Sequence, residues 1–400
     1  MAATAEDRIS SLSDDILHRI LSFNTTKDAV TASTLSKRWV DLWHTIPFLN
    51  FTNNKLLHNS ESILRFNLFV CSVLLSRSTV GGSINTFHLD VVYANRKHLD
   101  SLITPNLNIW LKLIVKRQLN HLNLHLSFND VYDENSIFYV RPKLPNSIFS
   151  CKTLVVLNLS CFDVKGFSFS NIEFGFPSLK TLHLTNISFN DDENFMLLLA
   201  GCSVLEDLKV CKVFFDVQKE VEECQMAESL SLSKLIRADI TYFWSEFPIK
   251  ALFNSKFLRM QKQLYYYYEL PIFHNLTHLV INNVSDELPR MLKCFPKLQN
   301  LVIYQKRQTK WDWYEFEDEQ ESWIVPISVP RCFSLNLRTC IMHGVGLLDL
   351  RHDIMLARYI LNNARVLETM TIWSYRKQPE IERELSSYPR ASATCQLSVY

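Results

Sequence analysis

The chain has 400 residues, 47% of them hydrophobic, with 42 Lys and Arg against 41 Asp and Glu for a formal net charge of +1. It is long enough to bury a sizeable core and too apolar to be a disordered chain. The charge balance offers no footprint for nucleic acid or an anionic membrane, and the seven glycines form neither a GxGxxG nor a GxxxxGK[ST] loop that would cradle a phosphate.

The start, "MAATAEDRISSLSDD", lacks the basic-then-apolar layout of a signal peptide, and no apolar run reaches the roughly 18 residues of a membrane span. The expectation is a soluble, non-secreted chain in the cytoplasm and/or nucleus. Ten cysteines without a CxxC pair read as reduced, buried thiols, not as a disulfide framework or a zinc site.

The first forty-five residues or so predict three short helices. In "SLSDDILHRILSF", Ser13 is placed to cap a helix, Asp14 and Asp15 favour its positive end, and Ile16, Leu17, Ile20 and Leu21 recur on one face. A second helix opens at Thr26 and runs to about Leu35. Ser36 is placed to cap a third, a short surface helix carrying Trp39, Val40, Leu42 and Trp43, which Pro47 ends. So small a bundle cannot bury this apolar set alone, so part of it must meet the following domain or dock another protein.

The whole stretch, "DRISSLSDDILHRILSFNTTKDAVTASTLSKRWVDLWHTIPFLNF", resembles the F-box of plant F-box proteins. It departs from the usual pattern where Ser13 replaces a proline and Asn24-Thr25 replaces Leu-Pro. The resemblance implies docking onto a Skp-type adaptor of a cullin-RING ubiquitin ligase. The residues it assigns to that contact are Leu12, Ile16, Leu17, Ile20, Leu21, Val30, Leu35, Trp39, Leu42 and Trp43, the tryptophans and leucines being shared with the packing of the F-box itself.

From about residue 84 an LxxLxL pattern recurs. Good copies are Leu154-Leu157-Leu159, Leu179-Leu182-Leu184, Leu205-Leu208-Val210, Leu276-Leu279-Ile281, Leu298-Leu301-Ile303 and Leu367-Met370-Ile372, with weaker ones at Ile84, Leu119 and Leu235. Several follow a helical stretch with an acidic start. One short strand plus one helical segment per unit is the signature of a leucine-rich-repeat solenoid with a parallel sheet. Strand alternation then turns the residues between the leucines toward the inner sheet surface. That surface is expected to be polar and mixed in sign, and the candidate target contacts are His121, Asn123, His183, Asp207, Lys209, Arg237, Asp239, Asn282 and Tyr304.

An acidic-aromatic insertion with Trp311, Trp313 and Tyr314 follows the fifth good copy. After it, "WIVPISVPRCF", "LARYILNNARVLETMTI" and a closing "PRAS" are similar to the FBD region at the end of many plant F-box and leucine-rich-repeat proteins. Physically this region is a last repeat-like unit with an extra strand, suited to shielding the open end of the solenoid.

The expected fold is α/β: a three-helix F-box over 5–51, a helical linker over 52–83, an irregular leucine-rich-repeat solenoid over 84–310, the acidic-aromatic loop over 311–322 and a C-terminal FBD-type capping region over 323–400. No catalytic, cofactor or metal site is expected. His121 with His125, and His274 with His278, form HxxxH pairs, but on strands residues four apart stand about 13 Å apart, too far to share an ion. The "LYYYYEL" stretch at 264–270 reads as packing and rim. The functional expectation is a non-catalytic target-recognition subunit of a Skp-cullin-F-box ubiquitin ligase. A non-ligase interaction scaffold and a small-molecule sensor of the plant hormone-receptor kind stand as alternatives.

Overall fold

The computed structural model describes residue 9 and residues 11–34, 37–80, 82–129, 140–165, 175–216, 230–243, 247–261, 270–282, 288–305, 328–347, 350–374 and 378–400. The chain divides into two compact units, residues 1–203 with 213–218, and residues 204–212 with 219–400.

The first unit opens with helices α1 (Asp14–Ser22), α2 (Thr26–Ala32) and α3 (Lys37–Thr45). Strand β1 (Phe48–Leu57) follows, then α4 (Ser60–Val80), β2 (Thr86–Tyr93), α5 (Thr104–Ile114), β3 (His121–Phe128), β4 (Val156–Asp163), β5 (Thr181–Phe189) and α6 (Asp192–Ala200). Strands β1 to β5 pair in chain order, every pair parallel.

The leucine pattern accounts for both the strands and their register. Leu122, Leu157 and Leu182 line up in one row across β3, β4 and β5, and Leu124, Leu159 and Leu184 in the next, none of them more than 4% exposed. Leu49 and Phe87 continue the first row, Phe51 and Leu89 the second. A slip of one residue would turn both rows out to water, so burial itself holds the register. The carbonyl just before a strand also accepts two successive N–H groups from the next repeat: Asn85 O from Asn120 and His121, Asn120 O from Val155 and Val156, Val155 O from Lys180 and Thr181.

The second unit contains β7 (Arg237–Phe243), β8 (Phe257–Gln261), β9 (His278–Asn282), α7 (Leu288–Met291), β10 (Asn300–Tyr304), α8 (Arg331–Leu335), β11 (Thr339–Val345), α9 (Leu350–Asn363), β12 (Thr369–Ser374), α10 (Gln378–Ser386) and β13 (Gln396–Val399). Strand β6 (Asp207–Phe215) has residues in both units. Strands β7 to β13 again pair in chain order and in parallel. Leu258, Leu279, Leu301, Cys340 and Met370 form one inward row, each 0% exposed. Before β10 the turn "FPKL" brings Leu298 N to Phe295 O at 3.2 Å, and "FPSL" before β5 does the same with Leu179 and Phe176 at 3.1 Å. Proline suits the second position of such a turn because its φ is already set.

The structure differs from the sequence expectation in four places. Strand pairing begins at Phe48, so residues 52–57, expected in a helical linker, lie in β1, where Phe51 and Leu57 face the core. Helix α2 opens at Thr26 as expected, capped by Thr25, but stops at Ala32 rather than near Leu35. Ser13 occupies the cap position of α1 with extended backbone, but its hydroxyl makes no capping bond. The fourth difference recurs: Cys161, Asn186, Lys212 and Tyr242, each the sixth residue of its strand, have φ between 51° and 66°. The β4–β5 pairing steps over Cys161 and Asn186, from Ser160↔Thr185 to Phe162↔Ile187. This is a left-handed backbone kink at the same position of four strands, and without a glycine at any of the four positions the sequence does not announce it. Leu35, Ser36, the 311–322 loop and residues 264–269 of the tyrosine stretch lie outside the described residues.

Candidate functional site

Helix α1 carries apolar side chains on two faces. Leu17 and Leu21 are buried, whereas Ile16, Ile20 and the following Phe23 are 48%, 39% and 79% exposed. Helix α3 turns Trp39, Leu42 and Trp43 inward, all below 9% exposure, and leaves Val40 out. The tryptophans therefore press into their own chain and are not surface groups. Trp43 lines a small hollow together with Leu21, Ala29, Ile46, Phe48 and Leu49. The adjacent His44 reaches α4, its Nε2 2.8 Å from Ser76 Oγ. Arg38 ties α3 to α1 through Asp14 and by donating to Leu12 O at 2.6 Å. Leu12 and Val30 are half-buried.

The two departures from the family pattern have local roles. Thr25 Oγ1 accepts from Asp28 N at 3.2 Å and donates to the Asp28 carboxylate at 2.7 Å, a reciprocal cap at the start of α2. Asn24 Nδ2 donates to Ile20 O at 3.1 Å and closes the end of α1.

The outward face of the first unit is polar. Asn50, His88, Asn123, Asn158 and His183 form one cross-strand row, and Thr52, Asp90, His125, Ser160 and Thr185 the next. Neighbours bond to each other: His125 Nδ1 lies 2.8 Å from Asp90 Oδ1, and Asn158 donates to Asn123 Oδ1. Burial holds the His88 imidazole below its ordinary pKa, with Asp90 opposing and His125 adding to the shift. His121 is exposed, and Asn123 and His183 are half-buried.

In the second unit the candidates separate. Lys209 and Arg237 are exposed and Asp207 is half-buried, with the Arg237 guanidinium 3.7 Å over the Phe257 ring. Asp239 and Asn282, expected to face outward, are only 7% and 5% exposed. Alternation fails in β7, where four successive residues from Ala238 to Thr241 are buried, and at the end of β9. The Arg259 side chain also approaches Asp239, at 4.0 Å.

Past β8 the outward face becomes uncharged, contrary to the expectation of mixed sign throughout. Val280, Val302 and Ile341 stand in one row. Tyr304, His343 and Trp373 stand in another, rings stacked with centroids 4.5 and 6.1 Å apart, and Tyr400 adds a further ring 4.6 Å from Trp373. The signal was present as the middle residue of "LVI", "LVI" and "CIM". A pattern keyed to leucines passes over it.

The described histidines, cysteines and carboxylates form no group suited to a metal ion. Burial pushes the Cys202, Cys332 and Cys340 thiols up to about 12, the opposite of an activated nucleophile. Among the described residues no helix is long and apolar enough to cross a membrane.

Comparison with known proteins agrees with this architecture. Residues 9–51 match the F-box domain, residues 107–241 match the LRR repeats of "FBD-associated F-box protein At5g56370", and residues 325–372 match FBD. Among relatives from Arabidopsis thaliana, FBD-associated F-box protein At3g50710 is 30% identical, the alignment covering 98% of this chain and 99% of that one. F-box/FBD/LRR-repeat proteins At5g56420 and At4g26340 are each 28% identical, with 98% of this chain covered and 98% and 99% of theirs. With an F-box at one end, a parallel leucine-rich-repeat ladder behind it and an FBD region at the other end, the chain belongs to the plant F-box/FBD/LRR-repeat family.

Proposed function

We propose that the chain is the target-recognition subunit of a Skp-cullin-F-box ubiquitin ligase and performs no chemistry itself. The observation that carries this reading is the apolar face left open within the F-box. Ile16, Ile20 and Phe23 on and beside α1, with Val40 on α3, are exposed while Leu17, Leu21 and both tryptophans already satisfy the fold. Exposed apolar groups on short helices suit a helical adaptor. In this reading the buried residues shape the docking face from below, and Ile16 and Ile20 make the contact.

The mechanism is proximity. An adaptor held by the F-box and a target held by the outward ladder face share one assembly. A target lysine then meets a ubiquitin thioester, carried by a separate enzyme, at high effective concentration.

The test is a titration of purified plant Skp-type adaptor against the full-length chain. Ile20→Asp and Phe23→Asp should each weaken association about tenfold or more, as expected for an apolar anchor. Val302→Glu, on the ladder, should leave it unchanged. A folded wild-type chain that fails to associate with the adaptor would reject the ligase reading and favour the scaffold.

A further inference from the structure

The F-box runs into the ladder without a break. Helix α3 ends at Thr45, and Pro47 O then accepts the N–H groups of Asn85 and Thr86 at 2.7 and 3.1 Å. The carbonyls of Asn85, Asn120 and Val155 accept in the same paired way in the repeats that follow. Strand β1 begins at the next residue, Phe48, and its Leu49 and Phe51, each 2% exposed, open the two inward rows. The last residues of the F-box are therefore the first strand of the ladder, in register with it.

Among the described residues no strand pairs with the other edge of β1. The F-box helices stand there instead. Thr26 Oγ1, at the start of α2 and on a residue 5% exposed, accepts the Asn50 N–H at 2.7 Å, a strand-edge donor that would otherwise need water. Leu21 of α1, Ala29 of α2 and Trp43 of α3 line one small hollow with Phe48 and Leu49 of β1. His44 of α3 reaches Ser76 on α4 at 2.8 Å. The bundle thus buries apolar residues against the ladder, and the open end of the ladder is closed by the bundle.

We propose that the F-box is the N-terminal cap of the ladder and opens together with β1 and β2 as one cooperative unit, so that adaptor docking on α1 holds the first strands of the target-facing sheet closed. This rests on the ligase reading and names a regulation of the same site. An adaptor that grips Ile16 and Ile20 binds only the closed F-box, and everything that opens with the F-box is stabilised by the same free energy. Asn50 and Thr52 of β1 stand in the outward rows beside His88 and Asp90 of β2. The strands held closed therefore carry outward side chains, and a chain without adaptor opens that end of its face more often than one in the assembly.

The experiment follows hydrogen–deuterium exchange of the full-length chain with and without purified plant Skp-type adaptor. With free adaptor at about ten times its Kd, amides of α3, β1 and β2 should all slow by about tenfold, and those of β12 should not change. Two variants test the shared opening in the free chain. Leu89→Ala, in β2 and 0% exposed, should speed exchange of α3 by the same factor as β1, about tenfold or more. Thr26→Val, a milder change from the F-box side that keeps the side-chain shape and removes the acceptor, should speed β1, β2 and α3 alike by about fivefold or more. Slowing by the adaptor confined to residues 12–45 would overturn the proposal and leave the ligase reading standing. So would a Leu89→Ala chain, or a Thr26→Val chain, in which α3 and the strands respond separately. A folded wild-type chain that does not associate with the adaptor rejects the ligase reading and the adaptor's part in the proposal, and the two variants alone then decide whether the cap opens with the strands.

Discussion

Asn186 holds Arg141 across 45 positions of sequence, its Oδ1 accepting from Nε at 3.0 Å and from Nη2 at 2.8 Å. Arg141 is 3% exposed and lies 4.7 Å over the Phe214 ring. Asn186 itself has φ +56°, a conformation asparagine tolerates better than most residues. Side chain and backbone thus contribute separately at one position. Asn186→Gly should cost about 1.5 to 3 kcal/mol through loss of a charge-assisted bond. Asn186→Ala should cost about 1 to 2 kcal/mol more, because alanine must also occupy the left-handed region. Urea unfolding of the two variants measures the difference, and equal losses would show that the backbone contributes nothing.

The leucine rows make a simpler prediction. Leu182 and Leu208 are both 0% exposed, so truncating either to Ala should cost about 2 to 5 kcal/mol as a buried cavity. The neighbouring His183, half-buried on the outward face, should tolerate Ala at far smaller cost. Chemical denaturation midpoints distinguish the two.

Two glycines two residues apart should respond differently. Gly344 and Gly346 both have φ +79°, but a Cβ on Gly344 would meet Gln305 O at 2.1 Å, whereas one on Gly346 would meet only the Leu350 side chain, at 3.3 Å. Gly346→Ala should cost roughly the left-handed penalty of about 1 to 2 kcal/mol. Gly344→Ala must also displace backbone, and should lower the melting temperature clearly more.

The helix caps give opposite expectations at two positions of similar chemistry. Thr25→Ala removes the bond to Asp28 N and should cost about 1 kcal/mol. Ser13 makes no such bond, and Ser13→Ala should be nearly neutral in thermal melting.

Stability should also depend on pH through the aromatic row. Burial lowers the His343 pKa below its ordinary 6.5, so the unfolded chain takes up this proton at higher pH than the folded one. The neutral-histidine contribution is complete above about pH 6.5 and is lost as pH falls through the unfolded and then the folded value. His343→Phe keeps a ring in the stack and removes the proton. Its melting temperature should fall less between pH 7.5 and 5.5 than that of the wild type, and parallel profiles would contradict the assignment.

Much of this molecule was legible in the chain. A pattern that repeats LxxLxL with helical segments between can bury its leucines only by stacking strand beside strand, so the parallel ladder follows from spacing alone, and the F-box and FBD regions carry long local motifs. Which side of each element stays open did not follow from spacing. Helix α1 presents Ile16, Leu17, Ile20 and Leu21 as one apolar set, and only packing against α3 divides it into a buried pair and an exposed pair. Trp39 and Trp43 look like surface groups on a short helix until α1, α2 and α4 are brought against α3. The aromatic row depends on register most of all. Tyr304, His343 and Trp373 are distant in sequence, each unremarkable in its own strand, and become one stack because two parallel pairings place them at the same height. Local periodicity determined the elements and their inward faces, since burial of alternate leucines needs no distant information. Tertiary pairing decided the outward surfaces, since a row across strands exists only once the strands are side by side.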